Sequence, residues 1–539
     1  MDAPLPRTHH RWWVIGLCLA FGAALSVALG PDIFWDTRNY HLYNAWAFLH
    51  DRYGMDITPA GMQSYFSPLP DLPYFLLATG PLSAWPRTLA ATQGLWLGAL
   101  VYLVICIART LASLQQRRFG AADIFAALMG ATGTMAVSQA GSTTNEIQLA
   151  VLLLLGFYLL MPLLSAPPPA RPLRRAWLAG LCCGVAAGLK PTAVVYPPAM
   201  ALGLLIALGV ARPSAWRASA IYAFGATVAF LMVYGIWGWH LYETTGNPIF
   251  PMFNQVFHSP LTVAAGGTDG QFRPRTIGQW LFYPFYWLRK QQGVVTEVTF
   301  ADPRYAIAML SIAALVAARL FRAPPSAQAR SATRMLAIFA GVSYLLWMAL
   351  FSILRYAIPF EALTGLLVLC AIHTWIPRSD DASQRWRTMA VAGLLLIALG
   401  GSTYPSWWRG AYASRVLQAD IAPVEPGSLV VLAGSPDGYL APLFPHAESI
   451  RFVGLTWFTR ASQDHGLWTL TQQRLAQHQG PMYLVRRDDP ANANELTLLR
   501  DMLPHHHTAD CAPIHSNMEI GRSGKDLAKG LALCRLIKD

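Results

Sequence analysis

Between Pro31 and Asp71 the chain reads PDIFWDTRNYHLYNAWAFLHDRYGMDITPAGMQSYFSPLPD. Five carboxylates, Asp32, Asp36, Asp51, Asp56 and Asp71, share this stretch with Arg38, His41 and many aromatic rings. A carboxylate can take the proton from a hydroxyl while that hydroxyl attacks carbon, which is general base catalysis. Asp36 is the first candidate. It heads WDTRNYHLYNAWAFL, whose residues at 42, 46, 49 and 53 fit one face of a helix lying in a membrane interface. Partial desolvation there would raise its proton affinity. The plain alternative is a helix N-cap, for which Asp is well suited. Asp32 is the rival, as base or metal ligand. Two carboxylates four apart can hold a divalent cation on one helical face, but Pro31 and the β-like Ile33, Phe34 and Trp35 speak against a helix there.

Three cations form a second set. Lys190, Arg304 and Arg355 each fall at the end of an apolar run on the side of the acidic loop. A charge inside a bilayer costs about 2.5–3.5 kcal/mol at the centre and less near the edge, so each requires a partner. A headgroup or a nearby acid such as Asp302 or Glu361 would suffice. A phosphate would also do: arginine grips its oxygens in pairs and lysine acts as a point charge. Such cations stabilise charge growing on a phosphate leaving group. His41, Tyr40, Glu146 and Asn247 are the candidates for binding acceptor or substrate. His41 also reads as a hydrogen-bonded interfacial histidine, and Glu146 as an acid favoured at a helix amino end. The run His505–His507 lacks other residues at metal-ligand spacing and reads as a solvated loop. No phosphate-binding loop or dinucleotide fingerprint is present, which argues against an ATP-driven pump or a nucleotide-sugar enzyme.

What must position these groups is a membrane scaffold. The chain is 54% hydrophobic and 13% charged over 539 residues, against about 25% charged in soluble domains. Apolar runs of ~20 residues recur, with spans expected near 12–30, 88–108, 121–140, 147–165, 174–189, 192–210, 217–238, 305–321, 335–353, 358–376 and 388–404. The first is too long, and lacks the cleavage site, for a signal peptide. Arg7, Arg11, Arg109, Arg117, Arg118, Arg171, Arg174, Arg175, Arg212, Arg217, Arg319, Arg322, Arg330, Arg334, Arg378, Arg385 and Arg387 then fall on one side. Nearly all acids of this half fall on the other. The positive-inside rule makes the basic side cytoplasmic. The net charge of +12 is thus orientation information and not a nucleic-acid footprint.

Within this scaffold Lys190-Pro191 and Pro197-Pro198 break the helical pattern. Gly180, Gly184 and Gly188, four apart, let a neighbouring helix come close. A long loop, 239–304, holds TGNPIFPMFN, the glycine-rich AAGGTDG, and TIGQWLFYPFYWLRK, the last expected as an interfacial helix. After residue 405 the composition shifts. Strand-like SLVVLA, SIRFVGL, PMYLVRR and LALCRLI alternate with helical TLTQQRLAQH and ANELTLLRDML, which suggests an α/β domain over 406–539 on the outer side. Cys511 and Cys534 in that tail can pair in an oxidising compartment. The other five cysteines lie in apolar runs.

DTRNYHLYNAWAFL after the first span, GVAAGLKPT, TGNPIFPMFN and RYAIPFE, in that order over roughly residues 10–405, resemble the GT-C membrane glycosyltransferases. Relatives of that kind include protein mannosyltransferases and the aminoarabinose transferase of lipid A. The resemblance implies an all-α membrane bundle of about eleven transmembrane helices (residues 1–405, with catalytic loop 31–71) and a small periplasmic α/β domain. It implies an inverting transfer of sugar from a polyprenyl-phosphate donor to a glycan, lipid or protein acceptor of the cell envelope, at the periplasmic face of a bacterial inner membrane. Asp36 matches the catalytic acid of the family's first loop. Lys190 resembles the lysine of its G-L-x-x-x-K run, and Arg355 a late-span phosphate contact. Here Asp32 and Asp36 are four apart, not adjacent, which leaves open which is the base and whether a divalent cation takes part. A lipid-linked-sugar flippase or an assembly scaffold are the other classes. A flippase would need charges along a through-path, and a scaffold would tolerate loss of the acids.

Overall fold

The apolar runs fold into helices that pack through small residues. The computed structural model of the chain describes residues 9–265, 269–290, 294–321, 326–376, 381–488, 490–527 and 529–539. Arg7, Arg322 and Arg378, the Arg11 side chain, and Gly266, Gly267 and Thr268 of the glycine-rich piece lie outside that description.

Among the described residues seven helices are long and apolar enough to cross a membrane: Trp12–Leu29, Pro86–Leu114, Glu146–Leu164, Pro191–Leu208, Pro213–Thr245, Arg304–Phe321 and Ala327–Leu350. The pair Leu354–Glu361 and Thr364–Trp375, bent by 42°, makes eight if it is one span. The expectation of eleven is therefore corrected. The remaining three segments are helical, but each falls short for a local reason. Ala121–Ala131 stops at Thr132-Gly133, where the Glu361 carboxylate accepts the backbone N–H groups of Met135 (3.2 Å) and Ala136 (2.9 Å). Pro172–Leu189 carries Arg174 and Arg175 and is rich in glycine and alanine. Asp381–Gly401 begins with Asp381, Arg385 and Arg387.

Lipid tails are as apolar as leucine, so these helices associate by close packing instead of by a hydrophobic drive. A Cβ on Gly22 of the first helix would stand 2.3 Å from the Gly94 carbonyl oxygen of the second. Gly180 and Gly184 do the same for Pro172–Leu189 against Pro213–Thr245, at 2.2 Å from Tyr222 O and 2.1 Å from Ala226 O. Only hydrogen atoms fit at these contacts.

The tail holds a five-stranded sheet in the order Arg451–Leu455, Leu429–Ala433, Met482–Arg486, Ala532–Lys538, His506–Pro513. The first three strands run parallel and the last two pair antiparallel. His506 and His507 belong to the last strand, not to a loop. Cys511 and Cys534 form a disulfide between neighbouring strands.

The first loop is built into this sheet. Ile57 N–H donates to Phe452 O (2.9 Å) and Gly454 N–H donates to Ile57 O (2.8 Å), so the loop covers the edge strand, which would otherwise present unpaired backbone groups. Buried Arg52 holds Asp56 (2.7 Å) and reaches the carbonyls of Glu448 (3.0 Å) and Ile450. The helix Leu42–Leu49, expected to lie in a membrane interface, turns much of its apolar face to the tail. Tyr43 and Trp46 pack with Leu440, Phe444 and Phe452 in one core shared by loop and tail. TIGQWLFYPFYWLRK forms a helix over Ile277–Tyr286, kinked at Phe282.

Candidate active site

Asp36 precedes a π-helical turn, Thr37–His41. In a regular α-helix residues five apart point ~140° apart. The extra residue of a π-turn brings such positions back towards one face, and π-turns recur at functional sites. Here that face carries Asp36, Tyr40 and His41.

Opposite stand two breaks in the bundle. Pro172–Leu189 ends at extended Lys190, and a 3₁₀ turn from Pro191 starts the next span. Proline removes the backbone donor that would have continued the ladder. The Lys190 ammonium is thereby turned to Glu146 Oε1 (2.6 Å) and Thr144 O (2.9 Å). Arg355 sits on the 3₁₀ turn Leu354–Ala357 that opens the bent pair. Its Nη1 donates to Asp36 Oδ2 (2.8 Å) and its Nη2 to Glu297 Oε1 (3.2 Å). Glu146 Oε1 lies 4.0 Å from Nη1. The guanidinium lies against Phe34 (5.1 Å) and Trp407 (5.6 Å), two rings packed edge-on to each other, a cation–π arrangement that holds an arginine without using its donors.

Asp36, Glu146, Glu297, Lys190 and Arg355 thus form one ion cluster at the loop end of the bundle. It is not saturated. Arg355 Nε, Glu146 Oε2 and His41 Nε2 are buried with no hydrogen-bond partner among the described residues, which in a folded protein asks for an explanation such as a ligand. Beside the cluster a shallow groove is lined by Glu146, Leu149, Leu153, Thr192, Tyr196 and Tyr356. It is acidic at one end and apolar along its length.

Burial pushes the Asp36 carboxyl up, but the Arg355 charge, with Lys190 behind it, outweighs this and holds it below the ordinary carboxylate value. The expectation of a raised proton affinity is corrected: the paired guanidinium decides, not desolvation. Burial, then the Asp36 charge, raises the Tyr40 phenol well above its usual value, so it stays protonated.

Other sequence candidates stand elsewhere. Asp32 is filled: its Oδ2 accepts from Thr143 N (2.8 Å), Thr143 Oγ1 (3.0 Å), Thr37 Oγ1 (2.8 Å) and Ser142 Oγ (3.3 Å), and its Oδ1 from Phe34 N (2.9 Å). It ties the loop to the turn before Glu146 and is corrected from base or ligand to a structural anchor. Arg304, wholly buried, pairs with Asp302 (2.8 Å) and donates to Met129 O (3.1 Å) and Ser402 Oγ (3.1 Å). The expected phosphate contact is thus occupied by protein partners and shares none with Lys190 or Arg355. Asn247 spends its amide inside its own turn, on Met252 O (3.0 Å), Asn254 Oδ1 (3.3 Å) and Ile249 N (3.0 Å), away from the ion cluster's contacts.

His41 Nδ1 lies 2.6 Å from Asp71 Oδ1, which also accepts from Asn145 Nδ2 (2.9 Å). Sequence reasoning passed over Glu297, Trp407 and Asp71 as site residues. They are far from their partners along the chain, and no local spacing flags them. Among the described residues no group of three or more His, Cys, Asp or Glu side chains is arranged to hold a metal ion. The Asp32 and Asp36 carboxylates have separate partners, so they do not fit the shared divalent cation considered from their spacing. Compared with protein-family models and with curated proteins, the chain matches none of them.

Proposed function

We propose that this multi-span membrane protein is an inverting glycosyltransferase of GT-C type, moving a sugar from a polyprenyl-phosphate donor to a cell-envelope acceptor. The observation that carries the reading is the cluster of Asp36, Glu146, Lys190 and Arg355 beside an apolar groove. A lipid phosphate has the same layout, a charged head on an apolar tail. Lys190 keeps one of its three ammonium protons free after Glu146 and Thr144, and Arg355 keeps Nε, so both have donors left for phosphate oxygens.

In the reaction the acceptor oxygen attacks the anomeric carbon as the bond from that carbon to the phosphate oxygen breaks. The electron pair leaves with polyprenyl phosphate, whose growing charge Lys190 and Arg355 stabilise. Asp36, kept anionic by Arg355, faces the positive charge that an oxocarbenium-like carbon develops. Basic loops at the opposite end of the bundle support an active site on the periplasmic side of a bacterial inner membrane, with the amino end cytoplasmic. The acceptor class fits a cell-envelope glycan, lipid or protein.

The test is incubation of the purified protein with polyprenyl-phosphate mannose, glucose and aminoarabinose. Loss of donor and appearance of polyprenyl phosphate are followed by mass spectrometry with envelope extracts as acceptor. Consumption of one donor, lost in K190A and R355A, is expected. No consumption, together with no binding of polyprenyl phosphate, refutes the proposal.

A further inference from the structure

We propose that His41, oriented by Asp71, is the base that takes the acceptor's proton; this rests on the transferase reading above. A base must have an atom free to accept that proton. Asp36 is bound to Arg355 at 2.8 Å and Glu146 to Lys190 at 2.6 Å. Glu297 is held by Arg355 at 3.2 Å, and Asp32 carries five donors. Asp36, Glu146 and Glu297 are each paired with a cation and Asp32 is surrounded by donors, although Glu146 keeps Oε2 without a partner among the described residues.

His41 is built differently. An ionised Asp71 can only accept, so the short contact from its Oδ1 to Nδ1 places the ring proton on Nδ1. In the neutral ring Nε2 is then the nitrogen that carries the lone pair. It is buried and has no hydrogen-bond partner among the described residues, although the residue is only 3% exposed. An idle buried acceptor costs about 1–3 kcal/mol, which a hydroxyl donor at Nε2 would relieve.

The π-turn sets His41 on the face of Asp36, and the Tyr40 ring packs on it at 4.2 Å. The charged and titratable groups around it are Asp71 at Nδ1, then Asp36, Tyr40 and, beyond Asp36, Arg355. The carboxylate–imidazole pair with a free Nε2 is the arrangement that lets a histidine deprotonate a hydroxyl and stabilises the imidazolium that forms.

In the step the acceptor hydroxyl's O–H bond breaks and its proton goes to Nε2. The new oxygen–carbon bond forms, and the sugar–phosphate bond breaks with its electron pair on polyprenyl phosphate. The charges balance as imidazolium against the extra negative charge on the released phosphate. His41 is then a catalytic residue and Asp71 a positioning residue.

Full-length wild type, H41Q and D71N are compared in nanodiscs for turnover of whichever polyprenyl-phosphate sugar wild type consumes, and for binding of polyprenyl phosphate itself. H41Q is expected to lower kcat by about 10²–10⁴-fold, with polyprenyl-phosphate affinity unchanged within about twofold. D71N is expected to lower kcat on the order of 10–100-fold with donor KM unchanged. H41Q that keeps full turnover, or that loses lipid-phosphate binding in proportion to turnover, overturns the assignment. If H41Q does not fold, D71N decides: unchanged kcat, or a rise in KM alone, sinks it. Failure of wild type to consume any donor or bind polyprenyl phosphate falls on the transferase reading and not on His41.

Discussion

The first loop is fixed to the tail by a buried charge network, and Glu519 is its hub. Its Oε2 accepts from Arg38 Nη1 (2.5 Å), and its Oε1 from Arg487 Nη2 (2.6 Å) and Tyr439 Oη (2.8 Å). Arg487 also holds Asp437 (2.6 Å). Exposure of the Glu519, Arg38 and Arg487 side chains is 2%, 8% and 6%, so solvent screens little. Removing one partner of such a buried pair costs about 3–5 kcal/mol, because the other charge is stranded. Two guanidiniums lose a partner in E519Q. The expected effect is therefore a fall of about 3–5 kcal/mol in the free energy that keeps loop and tail together. At ~1.4 kcal/mol per tenfold, hydrogen exchange over residues 37–49 and strand Leu429–Ala433 should speed up by roughly two to three and a half orders of magnitude. Since Arg38 is two residues from Asp36, turnover should fall with it. Burial raises the Glu519 carboxyl, but Arg487, then Arg38 and Tyr439, bring it below its ordinary value. A depressed acid contributes stability that is present above its unfolded pKa and lost as pH falls through the folded one. Wild-type protection should thus fall on acidification below the usual glutamate range, and E519Q should lack that phase. Exchange in E519Q within threefold of wild type would refute the reasoning. So would an R38M/E519Q double variant whose losses simply add, since coupled partners must not.

Other expectations follow from the same contacts. D32N places an amide N–H₂ among five donors. It should lose folded yield by fluorescence-detected size exclusion instead of lowering kcat selectively. R304M strands Asp302 and should cost about 3–5 kcal/mol, seen as a lower midpoint of thermal unfolding, while polyprenyl-phosphate binding stays as in wild type. Cys511 and Cys534 are 23 apart in sequence. Opening that loop by C511A/C534A should cost about 3 kcal/mol of tail stability, and protease cleavage near the sheet should accelerate in the variant.

What the sequence made legible was whatever repeats or aligns along the chain. Apolar periodicity placed the helices, and short apolar runs placed four strands of the tail sheet, because both depend on neighbours within a few residues. The span count went astray where a helix contains its own exception. Gly133 ends Ala121–Ala131 because Glu361, far along the chain, occupies the space a side chain would take. The site was legible as a set of residue types and not as a set of pairs. Asp36 and Arg355 are 319 residues apart and Lys190 and Glu146 are 44 apart, and no local pattern encodes which cation meets which acid.

That limit is most instructive for Asp32 and Asp36. As sequence they are two acids four apart, and residue type cannot rank them. In the fold one oxygen of Asp32 takes four donors and becomes a knot between loop and bundle, whereas Asp36 meets a guanidinium whose Nε is idle. The difference lies in spare hydrogen-bonding capacity. A group that anchors a fold consumes its capacity, because unpaired buried polar atoms are costly. A group that meets a substrate must keep some in reserve and bear that cost until the substrate arrives. Arg355, Glu146 and His41 keep such capacity and Asp32, Arg304 and Asn247 spend theirs, yet idle atoms alone do not mark a site, since Arg38 Nε and Asp437 Oδ2 of the loop–tail network are idle too.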